Sequence, residues 1–194
     1  FDYIIGNPPY IGHKMIDKSL SSILKKQYRE VFYDKGDLSY CVFPLGITLL
    51  KSQGQLIYIS SRYFLESPSG EGLRKFILEN SQINKIVDFN GNRLIKGAKV
   101  DLVILHLSKC LSERNLIKVC KLKEDLKVKD YEEIFQPENY DGFFIHQSDL
   151  REDGWILIDK VAQGIIKKIE AKTTVTLREI CDSFQGIITG HDKA

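Results

Sequence analysis

The chain opens on a short apolar run, Phe1-Asp2-Tyr3-Ile4-Ile5-Gly6, which stops at Asn7-Pro8-Pro9-Tyr10. Such a run reads as a buried strand closed by a proline turn. Leu20, Ile23, Leu24, Tyr28 and Val31 then recur at helical spacing, predicting an amphipathic helix over residues 17–32 with Asp17 as its cap. A second helix is expected over residues 37–53, with Leu38, Cys41, Val42, Leu45 and Leu49 on one face. Pro44 should kink it or split off its first turn, and Gly54 should end it. Residues 55–60 read as a strand, and a Gly/Ser loop at 67–72 leads into a helix near 71–80. Residues 85–89 and 100–107 read as further strands, the last apolar enough to be covered on both faces. Strand, helix, helix, strand, helix, strand, strand is the order of the second half of a doubly wound α/β domain.

The pattern loosens near Lys109. Residues 116–122 are strand-like, 136–142 form a polar loop, and Val161, Ile165 and Ile169 mark a helix over about 155–171. Thr176-Leu177-Arg178-Glu179 is a capping box opening a short helical turn. The expected division is therefore a first domain over 1–109 and a second over 110–194. The first residue is Phe1 in a core-type strand, and residues 186–194 resemble an interrupted strand, so the chain reads as a piece of a larger polypeptide. Ser69-Gly70-Glu71-Gly72 has some look of a phosphate loop. It lacks a third glycine and carries an acid, and a helix start is the better reading.

Composition narrows the possibilities only slightly. With 28 basic and 26 acidic residues among 194, the net charge of +2 does not announce a polyanion binder; charge would have to be clustered locally. No stretch approaches the roughly 20 apolar residues of a membrane span, and no signal pattern opens the chain. The four cysteines (Cys41, Cys110, Cys120, Cys181) form no Cys-x-x-Cys pair, which predicts reduced thiols, a cytoplasmic setting and no metal site.

The proline turn carries the chemistry. An exocyclic aromatic amine is a poor nucleophile because its lone pair is delocalised into the ring. Two acceptors aimed at its hydrogens favour a tetrahedral nitrogen and stabilise the charge that develops during attack. The Asn7 side-chain oxygen and the Pro8 carbonyl suit those positions. Pro9 shapes the turn, and Tyr10 offers a face on which a planar base stacks, contributing roughly 1–3 kcal/mol. A base inside a duplex reaches such a turn only by leaving the stack, at a cost of a few kcal/mol.

Residues 1–10, Gly36-Asp37-Leu38, and the stretch from Ile59-Ser60-Ser61-Arg62-Tyr63-Phe64-Leu65 through Leu73-Arg74-Lys75-Phe76-Ile77 resemble the catalytic half of the γ-type N6-adenine DNA methyltransferases. Within these they are most similar to the TaqI-like enzymes and the related fused restriction–modification proteins. Residues 177–192 resemble the start of the family's target-recognition domain. The resemblance implies the second half of a Rossmann-like methyltransferase sheet, followed by the start of a smaller α+β recognition domain. It implies S-adenosylmethionine as methyl donor, bound mostly outside this chain, so that the chain alone should be inactive. It also implies double-stranded DNA as partner and a flipped adenine as acceptor, with Asn7 and Pro8 gripping the amine. Family members commonly place a phenylalanine against the other face of the base; here Ile95 falls near that position, with Phe89 as the alternative.

Other residues have a plain reading beside a functional one. His13, Lys14, Arg62, Lys96 and Lys99 are candidate DNA contacts, as are Arg74 and the Lys167, Lys168, Lys172 cluster, against simple solvation. His106 in an apolar strand reads as a satisfied core histidine, and Trp155 as packing. Two other functions stay open at this level. One is a methyltransferase acting on a protein glutamine or an rRNA guanine amine, which would use the same turn. The other is a non-catalytic DNA-specificity module.

Overall fold

A computed structural model describes residues 1–33, 35–94, 100–127 and 132–182. The chain divides into two compact units, Phe1–Asp159 and the part from Lys160 onward. The first is built on one six-stranded sheet. In chain order its strands are β1 (Tyr3–Gly6), β2 (Gln55–Ser61), β3 (Gln82–Asp88), β4 (Leu102–Ser108), β5 (Leu116–Leu122) and β6 (Tyr140–His146). Their spatial order is β1-β2-β4-β3-β5-β6. β1 runs parallel to β2 and β3 parallel to β5, while β4 lies antiparallel between β2 and β3 and β6 antiparallel on β5. This is the α/β, Rossmann-like methyltransferase sheet. Its topology gathers the C-terminal ends of β1, β2, β3 and β5 along one edge, the usual place for ligands of open α/β sheets.

Three helices serve the sheet: α1 (Lys18–Gln27), α2 (Ser39–Leu49) and α3 (Glu71–Asn80). Phe43 and Ile47 of α2 and Leu73 and Ile77 of α3 pack with Leu56, Tyr58, Val103, Leu105 and Leu107 in the main core. Each such side chain contributes about 1.5–3 kcal/mol of burial. The opposite face carries a smaller cluster of Val87, Phe89, Leu102, Cys120, Leu122 and Ile134 near the same sheet edge. Along β4 that face is fully buried only at Leu102 and half-buried at Ile104, which packs on the cluster, and at His106, so β4 is not fully covered on both faces as its composition suggested.

Several elements differ from expectation. α1 ends at Gln27 and the chain turns, with the Tyr28 and Phe32 amides donating to the Leu24 and Tyr28 carbonyls. α2 runs through Pro44 without dividing, and it buries Tyr40, Phe43 and Ile47 while Leu45 and Leu49 stay exposed. The helix is apolar nearly all round, so periodicity could not single out its inner face. Residues 140–146 were read partly as loop and are β6. Asp141-Gly142 looks like a turn, but on an edge strand backbone pairing with β5 outweighs it. Residues 155–159 are not helical: Trp155 is fully buried against Phe64, ring centroids 5.8 Å apart, and its amide donates to the Leu65 carbonyl at 2.7 Å. The fold also does not divide at residue 110, because β5 and β6 extend the sheet and the first unit runs to Asp159.

In the second unit, α4 (Lys160–Lys172) has no buried residue, and Val161, Ile165 and Ile169 are exposed. The short helix α5 (Leu177–Ile180) begins at the expected capping box, where the Thr176 amide donates to Glu179 Oε2 at 2.7 Å.

Candidate active site

β1 delivers the Asn7 turn to the sheet edge. Gly6 is required there: a Cβ would sit 2.9 Å from the Tyr58 ring on neighbouring β2. After it Asn7 is exposed, Pro8 buried, Pro9 exposed and Tyr10 half-buried against the cluster that contains Ile59, Ile104 and Phe89. The Tyr10 hydroxyl donates to the Asn7 carboxamide oxygen, and the Ile59 carbonyl at 3.1 Å is a second acceptor for the same proton. A carboxamide oxygen has two lone pairs. Tyr10 engages one of them, and the other remains for an incoming donor.

The turn is also tied to the start of α2. The Leu38 amide donates to the Ile11 carbonyl at 2.9 Å, Gly12 bridges to Asp37, and Asp37 caps the helix by accepting from the Ser39 amide at 2.9 Å. Burial, with a further contribution from the Asp37 carboxylate, pushes the Tyr10 phenol up to about 12. It therefore remains a protonated donor at any physiological pH.

Arg62, at the end of β2, is not a free cation. Its Nε lies 3.1 Å from both oxygens of Asp88, a fully buried carboxylate ending β3, and its Nη2 is 2.9 Å from Glu66. Burial alone would lower the guanidinium, but the two carboxylates more than offset it and the net shift is upward. The pair spans β4, because β2 and β3 both neighbour that strand.

Arg74 is fully buried: its Nε donates to the Glu152 carbonyl at 2.7 Å and its Nη1 to the Phe64 and Ser67 carbonyls. It braces the loop after β2 and has no surface to offer DNA. That loop leads into α3, and Gly70 fits because a Cβ would lie 2.3 Å from the Phe64 carbonyl oxygen.

His13 is half-buried and Lys14 exposed, both in the short turn His13–Met15 a few residues past Tyr10. Phe89 is buried beneath the edge, and Ile95, Lys96 and Lys99 lie outside the described residues. His106 Nε2 is 2.8 Å from Gln55 Oε1, the satisfied histidine its strand implied. Lys167 and Lys168 lie on exposed stretches of α4 in the second unit. Sequence reasoning missed the roles of Asp37 and Asp88. A signal existed for Asp37, an acid two residues before a helical run. None existed for Asp88, whose partner is 26 residues away.

A cleft of about 620 Å³ lies past the end of β2, lined by Asp37, Ser61, Tyr63, Glu66, Arg93 and Asp101 among others. No Gly-rich turn follows a strand among the described residues, so they do not by themselves compose a site for S-adenosylmethionine.

Comparison with known proteins agrees with this geometry. The family model described as Eco57I restriction-modification methylase matches residues 1–95. Type II methyltransferase M.HindII of Haemophilus influenzae is 28% identical over the whole chain, which spans 40% of that protein. Type II methyltransferase M.HincII of the same species is 32% identical over 69% of the chain and 27% of its own length. The type IIG restriction endonuclease BpuSI shares the fold, with a TM-score of 0.61 at 15% identity over 88% of this chain and 22% of that one. The chain is thus similar to restriction–modification methyltransferases, and it spans less than half the length of these relatives.

Proposed function

We propose that the chain is the acceptor half of an adenine-N6 DNA methyltransferase of a restriction–modification system, of the γ type and TaqI-like. The observation that carries this is the Asn7 turn, with an exposed carboxamide held by its own tyrosine at the C-terminal edge of the sheet. In this reading an adenine leaves the duplex and lies on Tyr10. Its amine donates one hydrogen to the free lone pair of the Asn7 oxygen and the other to the Pro8 carbonyl. Both acceptors are fixed before the base arrives, so little reorganisation accompanies the charge that grows on nitrogen. The transferred methyl comes from S-adenosylmethionine, whose site we assign mostly to sequence outside this chain. The chain alone therefore does not methylate DNA. His13 and Lys14 follow the turn closely enough to reach the strand that carries the target. Because β5 and β6 belong to the sheet, we place the start of the recognition part after Asp159 rather than at residue 110.

The test is Asn7→Ala in the whole protein, assayed for transfer of labelled methyl groups to unmethylated plasmid DNA. We expect a loss of two or more orders of magnitude with cofactor binding retained, the scale set by removing a preorganised polar partner of a transition state. Wild-type rates would overturn the role of Asn7. Label recovered on cytosine, or on protein or RNA in place of adenine, would overturn the assignment of the acceptor.

A further inference from the structure

The cleft past the end of β2 has a lining suited to a ligand, apart from the acceptors of the Asn7 turn. Its walls are stiff. The Arg62 amide donates to the Asp101 carbonyl at 2.7 Å, Ser61 Oγ accepts from the Tyr63 amide at 3.3 Å, and the Glu66 and Ser67 amides both return to the Tyr63 carbonyl. On this frame the Tyr63 side chain is 67% exposed at the cleft wall, although its backbone is fully engaged. A rigid backbone presenting a solvated aromatic ring has already met most of the ordering cost of a stacking contact.

The charges around the ring are sorted in the same way. Glu66 is paired with Arg62, whose guanidinium is in turn occupied by Asp88. Arg93, exposed in the lining, is left as the cation of the cleft among the described residues. Asp37 and Asp101 supply acceptors between them. An aromatic face, a guanidinium and acceptors for amine hydrogens around a space of this size match a nucleotide, with its ring, phosphate and base-edge donors. Two residues of its lining are tied to the turn through the chain: Asp37 is bridged to Gly12, and Ser61 lies two residues after Ile59, whose carbonyl meets Tyr10.

We propose that this cleft is a second nucleotide subsite, which holds the nucleotide next to the target base in the same DNA strand, with Tyr63 stacked on its base and Arg93 on its phosphate. A nucleotide drawn to the Asn7 turn brings its neighbour's backbone to the same edge, and stacking on Tyr63 offsets part of the lost duplex stacking. The subsite rests on the reading of DNA as the partner, but not on methyl transfer.

In the whole protein, plasmid DNA binding by filter retention and methyl transfer are measured side by side. Tyr63→Ala should weaken DNA binding about 5- to 100-fold, the span expected for one base–aromatic stack. It should raise KM for DNA while leaving kcat at saturating DNA within about twofold. Tyr63→Trp should restore both. Arg93→Gln should reduce the slope of log affinity against log salt by about one. Wild-type affinity for Tyr63→Ala, or equal losses for the alanine and tryptophan variants, would overturn the subsite. If the unaltered protein binds DNA without methylating adenine, the proposed function fails, while the binding measurements still decide the subsite.

Discussion

The hydroxyl of Tyr10 donates to the carboxamide oxygen of Asn7, so the aromatic residue of the turn also orients the amide that precedes it. A carboxamide is nearly symmetric in shape, and only its hydrogen-bond partners decide which end carries oxygen. In the proposed function Tyr10 thus serves the turn twice, through its ring face and through its phenol.

Replacing the phenol separates these tasks. Tyr10→Phe keeps the ring and should lower the single-turnover methyl-transfer rate about 3- to 10-fold, the scale of one net hydrogen bond of roughly 1 kcal/mol. DNA affinity should change little. Tyr10→Ala should lose affinity as well, by the roughly 1–3 kcal/mol of a base–aromatic stack. Rapid-quench kinetics beside equilibrium binding distinguish the two.

The same phenol sets an alkaline limit. Its folded value, about 12, lies above the ordinary value of 10. Between those values the unfolded chain loses this proton while the native protein keeps it, so the unfolded state binds fewer protons and stability falls as pH rises. The contribution is complete below pH 10 and is lost progressively toward pH 12. Urea unfolding from pH 9 to 12 should show that decline, and Tyr10→Phe should make it shallower. Tyr40 and Tyr58, also raised by burial, keep it from vanishing.

Arg62 behaves as a strut. Arg62→Met removes the partner of a carboxylate with no exposed surface, leaving a buried charge unpaired, which costs about 3–5 kcal/mol. Arg62→Met with Asp88→Leu removes both charges and should recover a large part of that loss, read as the midpoint of urea unfolding. A DNA-contact role would instead give a stable Arg62→Met protein with weakened DNA binding.

Much of the first unit was legible because its local signals agree. The extended chain of β1 up to its glycine, the capping aspartate of α1, the strand expected at 55–60 and the helix at 71–80 each follow from short-range pattern. The shape of the Asn7 turn was legible for the same reason, since four adjacent residues set it, and the chemistry proposed for it rests on the same four. β1 itself, however, proved to be an edge strand with Tyr3 and Ile5 exposed and not the buried strand its apolar run suggested. The misjudged elements share a different cause. The inner face of α2, the edge strand β6 and the extended chain at Trp155 depend on which surfaces lie opposite them, and periodicity does not encode the partner.

The chain's linear order therefore determined the strand–helix alternation and the turn from which the acceptor is proposed, both set by steric and hydrogen-bonding preferences over a few residues. The tertiary structure decided the rest. It placed β4 backwards between β2 and β3, brought Arg62 onto Asp88, buried Arg74 beneath the loop after β2, and set Tyr63 and Arg93 around one cleft. Those relationships join residues far apart in the chain, and only the closing of the sheet brings them within the few ångströms over which hydrogen bonds and ion pairs act.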